Sequence, residues 1–180
     1  LHLRPLLAFL LLVILNTGSY GQRYIVESGS IFFFSKATIE DIKSENKRVS
    51  SIFSASTGNI AFSIPIREFE FEKQLMQEHF NDKYMESDVY PTATFAGMVI
   101  GFNMNKPGLQ QVRAKGRLTI HGIIKDIEVP GTFQLNGGKI NLRSTFRIKL
   151  TDYNIRIPQL LWQNIAEYVD VSIDLTYKQQ

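Results

Sequence analysis

Apolar and polar side chains alternate one for one through residues 112–135, VRAKGRLTIHGIIKDIEVPGTFQL. Val112, Ala114, Gly116, Leu118 and Ile120 fall on one face, with Arg113, Lys115, Arg117, Thr119 and His121 on the other. After a break at Gly122 the pattern resumes with Ile127, Val129, Gly131, Phe133 and Leu135 against Asp126, Glu128, Thr132 and Gln134. Successive side chains of a strand leave opposite faces of the pleat, so the pattern predicts a long antiparallel hairpin with one apolar and one wet face. His121-Gly122 is read as its turn, the glycine supplying a permissive φ.

The same period recurs along the chain. Residues 24–34 (YIVESGSIFFF) predict a strand interrupted by Gly29. In residues 59–71, Ile60, Phe62, Ile64 and Ile66 alternate with Ala61, Ser63, Pro65 and Arg67, and Pro65 favours an edge or bulged position because it withholds a ladder donor. Strands follow over 94–102, over 140–150 after the tight-turn sequence Asn136-Gly137-Gly138-Lys139, and at the end through Val169, Val171, Ile173, Leu175 and Tyr177. Residues 37–51, polar and of mixed charge, read as a loop or crossover, and 152–167 as irregular with a helical turn over 159–165. Helical spacing marks one main helix, residues 72–87, where Leu75, Met76, His79, Phe80 and Tyr84 share a face ahead of Tyr90-Pro91. Seven or eight antiparallel strands with one apolar face each make a mainly all-β protein, and the economical solutions are a closed barrel or a sandwich. Eight strands close around an interior that side chains fill or that holds one elongated ligand.

The first residues stand apart from this pattern. Arg4 is followed by the apolar run from Leu6 to Leu15, then Asn16 to Gly18, then the small residues Ser19 and Gly21. That three-part form predicts a secretory signal peptide over residues 1–21, cleaved before Gln22, and a single mature domain over 22–180. The apolar run, at about ten residues, falls short of the roughly twenty that span a bilayer, so no stable membrane span is expected after cleavage. No cysteine is present, which removes lipoprotein acylation, disulfides and thiolate metal sites and suits a periplasmic or otherwise secreted bacterial protein. The net charge is only +3 and evenly spread, so no nucleic-acid partner is expected.

Catalytic chemistry finds little to work with. His79 and His121 lie far apart in sequence with no ligand spacing between them, short of the roughly three protein ligands of a catalytic zinc. His79 reads as a helix residue beside the barrel opening and His121 as a turn residue. There is no G-x-S-x-G elbow. Asp126 and Glu128 are two apart on a strand and share its wet face, as a solvated ladder does. The expectation is therefore no enzyme, no metal and no cofactor. The ambiguity lies in the aromatic set, drawn from 13 Phe, 7 Tyr and 1 Trp: these side chains fill a core or line an apolar ligand channel, and periodicity does not distinguish the two.

Several segments carry a family resemblance. Residues 116–125 (GRLTIHGIIK) are similar to the G-x-L-T-hydrophobic-x-G-V-T-K hairpin of the YceI-like family, with Ile124 where a small hydroxyl residue is common. Residues 77–96 resemble the same family's helix, acidic-Ser turn, Tyr-Pro and following strand, through His79-Phe80-Asn81, Tyr84-Met85-Glu86-Ser87, Tyr90-Pro91 and Thr94-Phe95. Residues 28–34 are a weaker match to its first strand, with Gly29 in place of a His. The Gly-x-Phe that usually follows is not evident in 36–58, and residues 149–158 replace an Asp-Phe-Gly-like element. The resemblance implies a lipocalin-like antiparallel β-barrel of about eight strands whose cavity holds an isoprenoid or other long-chain lipid. On this chain it implies an apolar lining drawn from Phe32, Phe34, Phe62, Ile64, Phe69, Phe71, Phe80, Tyr84, Phe95, Leu118, Ile120, Phe133, Phe146 and Trp162. Arg67, Lys73 and Arg156 are the candidates for an anionic head group, since Arg suits bidentate contact with phosphate or carboxylate. Arg143 is a further candidate by residue type but stands on the outer face of its strand. The rival reading is a non-enzymatic structural or protein-interaction module with a filled barrel core.

Overall fold

The computed structural model describes residues 22–36, 41–156 and 166–180. Ten strands follow in order: β1 (Arg23–Ser35), β2 (Ile42–Asn46), β3 (Ser50–Ser54), β4 (Asn59–Pro65), β5 (Phe69–Phe71), β6 (Thr92–Ile100), β7 (Gly108–Ile120), β8 (Ile123–Asn136), β9 (Lys139–Lys149) and β10 (Tyr168–Gln179). They form one sheet in the order β10-β9-β8-β7-β6-β4-β3-β1-β2-β5, and β10 also pairs with β1. That last pairing closes eight strands into an antiparallel barrel, with β2 and β5 as a two-strand flap hanging from β1. Of the two architectures that the alternation allows, the chain takes the barrel, which leaves no edge on its main wall.

The flap departs from the expectation of a loop over 37–51. β2 (IKSEN) has almost no hydrophobic signal, yet it pairs with β1 from Ile31↔Asn46 to Ser35↔Ile42 and with β5 from Ser44↔Phe71 to Asn46↔Phe69. Its buried positions are polar and satisfied. Ser44 Oγ donates to the Glu70 carbonyl at 2.8 Å, and Asn46 Nδ2 donates to the Pro65 carbonyl at 2.8 Å. A buried polar group is tolerated when its hydrogen bonds are made, and here they replace the missing apolar pattern.

β1 holds a second departure. A register shift between Val26 and Ser28 marks a β-bulge, and the extra residue reverses which parity faces inward. Tyr24 is buried before it, Ile31 and Ser35 after it. Gly29 follows the bulge at φ +121°, and a Cβ there would stand 2.1 Å from the Asp174 carbonyl oxygen. The interruption at Gly29 is thus a close approach of β1 to β10.

The helix is shorter than its periodicity. α1 spans Gln74–His79 and passes directly into a π-helical turn, Phe80–Tyr84. No described helix is long and apolar enough to cross a membrane. The helical turn expected over 159–165 lies outside the described residues, while a 3₁₀ turn forms earlier, at Leu150–Tyr153.

The barrel interior has two halves. In the lower half, holding the start of β1 and the end of β10, Tyr24, Phe53, Phe133, Ile140, Leu175 and Tyr177 pack with 4% exposure or less. Tyr177 donates from its hydroxyl to Ser51 Oγ at 2.8 Å, which satisfies the one polar atom that ring brings inside. The upper half is hollow.

Candidate functional site: an apolar cavity in the upper barrel

A cavity of about 210 Å³ occupies the upper half. Its wall draws on nine of the ten strands, all but β3, because period-two alternation sends every second side chain inward. β7 supplies Ala114, Leu118 and Ile120; β9 supplies Leu142, Ser144, Phe146 and Ile148; β10 supplies Val169, Val171 and Ile173. Met76, Phe80, Tyr84 and Met85 line it from α1 and the segment after it, and Leu150 and Ile155 from the other side. At this upper end four phenylalanines gather. Phe80 packs its ring 5.6 Å from Phe33, 5.6 Å from Phe69 and 4.9 Å from Phe71, spacings at which aromatic pairs attract.

Among the described residues the lining contains no charged side chain, and its polar groups are Ser35, Ser144 and Tyr84. Ser144 Oγ is spent on the Pro130 carbonyl at 2.6 Å, and Ser35 Oγ accepts from the Ala166 amide at 3.3 Å. Burial raises the Tyr84 phenol above its ordinary pKa, so the ring presents a neutral hydroxyl. Such a wall takes hydrocarbon and has no cation with which to neutralise a buried anion.

Ten of the residues named from the sequence stand in this wall: Phe62, Ile64, Phe69, Phe71, Phe80, Tyr84, Phe95, Leu118, Ile120 and Phe146. Phe32 and Phe34 do not; Ile31, Phe33 and Ser35 line the cavity in their place, because the bulge shifts β1 by one residue. Phe133 points inward as its alternation requires, but lies in the filled lower half with no exposure. Trp162 falls outside the described residues. The aliphatic lining, including Ala114, Val129, Leu142 and Val171, was legible in the alternation of β7 to β10 and was missed by weighting the choice towards aromatics.

The head-group candidates lie elsewhere. Arg67 is exposed and paired with Asp88. Lys73 borders a small polar surface recess with Asp41, Lys43, Glu72 and Met76. Arg156 is exposed beside the lining residue Ile155. Arg143 pairs with Asp174 on the outer face at 2.9 Å.

His121 does more than turn a hairpin. With φ +50° at His121 and +73° at Gly122, both central residues are left-handed, as a two-residue hairpin favours. The ring is buried and faces Tyr90 at 4.4 Å. His121 Nε2 donates to Glu86 Oε2 at 2.8 Å, and Nδ1 stands 3.3 Å from the Tyr153 carbonyl. The imidazole therefore ties the hairpin tip to the segment after α1 and to the 3₁₀ turn. His79, half-buried at the end of α1, does not line the cavity.

Comparison with known proteins agrees with this architecture. The fold matches a polyisoprenoid-binding domain from Saccharophagus degradans implicated in plant cell wall breakdown, with a TM-score of 0.75 at 18% identity over 87% of this chain and 98% of that one. It matches BcnA of Burkholderia cenocepacia with a TM-score of 0.70 at 18% identity, covering 82% and 95%. It matches a Campylobacter jejuni YceI protein at 0.63 and 18%, covering 81% and 88%. No curated protein sequence matches the chain. The sequence model of the YceI-like domain matches residues 26–177, nearly the whole barrel from the first strand to the last, and the chain belongs to that family.

Proposed function

We propose that this protein is a carrier that sequesters a long-chain apolar molecule, a polyisoprenoid or fatty-acyl-type lipid, in the upper half of its barrel, without chemistry on it. The observation that carries the reading is the wall of the cavity, uncharged among the described residues. Each buried CH₂ contributes about 0.8 kcal/mol, so a chain of about a dozen carbons gathers enough to bind once ordering costs are subtracted. The Saccharophagus degradans domain, described as polyisoprenoid binding, shares the fold. Burying an unpaired anion is expensive, so a phosphate or carboxylate head would stay at or beyond the rim. We further propose that residues 1–21 are a cleaved signal peptide, that 22–180 form the mature domain, and that the protein works in the periplasm or outside the cell.

Protein purified from its own host is the material for the test. Native mass spectrometry followed by organic extraction is expected to return a bound long-chain amphiphile, and the intact mass to begin at Gln22. Recovery of no amphiphile, together with failure of long-chain probes to bind, would overturn the carrier reading.

A further inference from the structure

We propose that three mutually packed phenylalanines form a fixed floor to the cavity and so set the length of chain that this barrel accepts. The inference rests on the carrier reading and adds a length class to it. Phe53 of β3, Phe133 of β8 and Phe102, just beyond β6, meet beneath the hollow half. Their ring centroids are 5.2 Å apart for Phe53–Phe102, 5.9 Å for Phe53–Phe133 and 5.5 Å for Phe102–Phe133. None of the three lines the cavity, whereas Ile60 and Leu142, the cross-strand partners of Phe53 and Phe133, do, as do Val99 and Ala114.

The floor is held in place rather than merely present. Phe102 lies against Gly58, where a Cβ would come within 3.0 Å of its ring. The loop that follows Phe102 is pinned by the buried side chain of Gln110. Its Nε2 donates to the carbonyls of Asn103 at 2.9 Å and Lys106 at 2.8 Å, and its Oε1 accepts from the Asn103 amide at 2.8 Å. Phe53 and Phe133 have 1% and 0% exposure, so neither ring has room to swing away.

Geometry then fixes a length. From Ala114 to Ile120, at about 3.4 Å per residue and a strand tilt of about 40°, the shaft is roughly 15 Å deep. An extended chain advances about 1.25 Å per carbon, so the shaft seats about a dozen carbons, or about three isoprene units. A longer chain must leave its remainder outside.

The test uses straight-chain primary alcohols of increasing length, from about eight to eighteen carbons, displacing the neutral fluorophore N-phenyl-1-naphthylamine. Affinity is expected to rise about fourfold per carbon up to about a dozen and to stay flat beyond. Phe102→Ala removes one of the three rings and opens the floor beneath the shaft, and is expected to move the break to longer chains. Ala114→Leu raises the floor and is expected to move the break shorter; because it adds volume where Phe102→Ala removes it, it decides the matter if Phe102→Ala does not fold. A rise with no break in the unaltered protein, or a break that stays put in the folded variants, overturns the floor while leaving the carrier reading intact. Failure of every alcohol and of the fluorophore to bind overturns the carrier reading and the floor with it.

Discussion

Removing one oxygen atom from the lower half of the barrel should make the protein weaker at neutral pH and stronger in alkali. Tyr177 is fully buried, its hydroxyl donates to Ser51 Oγ, and burial drives its phenol far above the ordinary value of 10. In the unfolded chain the same phenol loses its proton near pH 10. A folded pKa raised above the unfolded one gives stability that is fully present below the unfolded value and lost as pH climbs past it. The loss from this one group is about 0.4 kcal/mol at pH 10 and about 1.4 kcal/mol at pH 11. Tyr177→Phe cannot ionise and escapes that loss. At neutral pH, however, it forfeits the hydrogen bond and leaves Ser51 Oγ unpaired in the interior, a cost of about 1 kcal/mol. The two stability curves should therefore cross between about pH 10 and pH 11. Tyr84 and Tyr153, also raised by burial, are common to both proteins and cancel in the difference. Urea unfolding at several pH values, with the slope m checked for constancy, measures it. A difference that stays constant from neutral pH into alkali would refute the reasoning.

Two further substitutions probe the wall. Gly29→Ala, at φ +121° with its new Cβ 2.1 Å from the Asp174 carbonyl, should destabilise by about 3 kcal/mol or more by thermal unfolding, and a change within about 0.5 kcal/mol would show that β1 and β10 part easily. His121→Asn keeps a residue that tolerates positive φ while removing the ring's contacts to Glu86, the Tyr153 carbonyl and Tyr90, so it should cost about 2 kcal/mol in urea unfolding; His121→Ala, which loses the φ tolerance too, should fall further.

Alternation and family motifs together made most of this molecule legible. β7 to β10 lie where the period-two pattern puts them, and inward parity names their lining correctly from Ala114 to Ile173. Three things were hidden for separate physical reasons. β2 escaped because Ser44 and Asn46 are buried by hydrogen bonds rather than by hydrophobicity. The sequence points to Phe32 and Phe34 rather than Phe33 because one bulged residue inverts every assignment after it, and no local signal gives a bulge's parity. Phe133 was placed in the cavity because parity tells inside from outside but carries no depth, and depth decides here whether a ring is floor or wall.

The ladder that joins the first strand to the last also imposes an order in time. β1 and β10 pair from Tyr24↔Gln179 to Phe34↔Asp170, and the Gln180 amide reaches back to the Arg23 carbonyl at 2.9 Å. Partners this far apart in sequence meet late, since the closure entropy of nearly the whole chain must be met before their contacts form. Until residues 168–179 join it, the sheet can only be an open, curved sheet, with β1 and β9 each presenting an unpaired edge to any neighbouring chain. Folding therefore passes through an interval of exposure that ends with a single event, the arrival of the last strand.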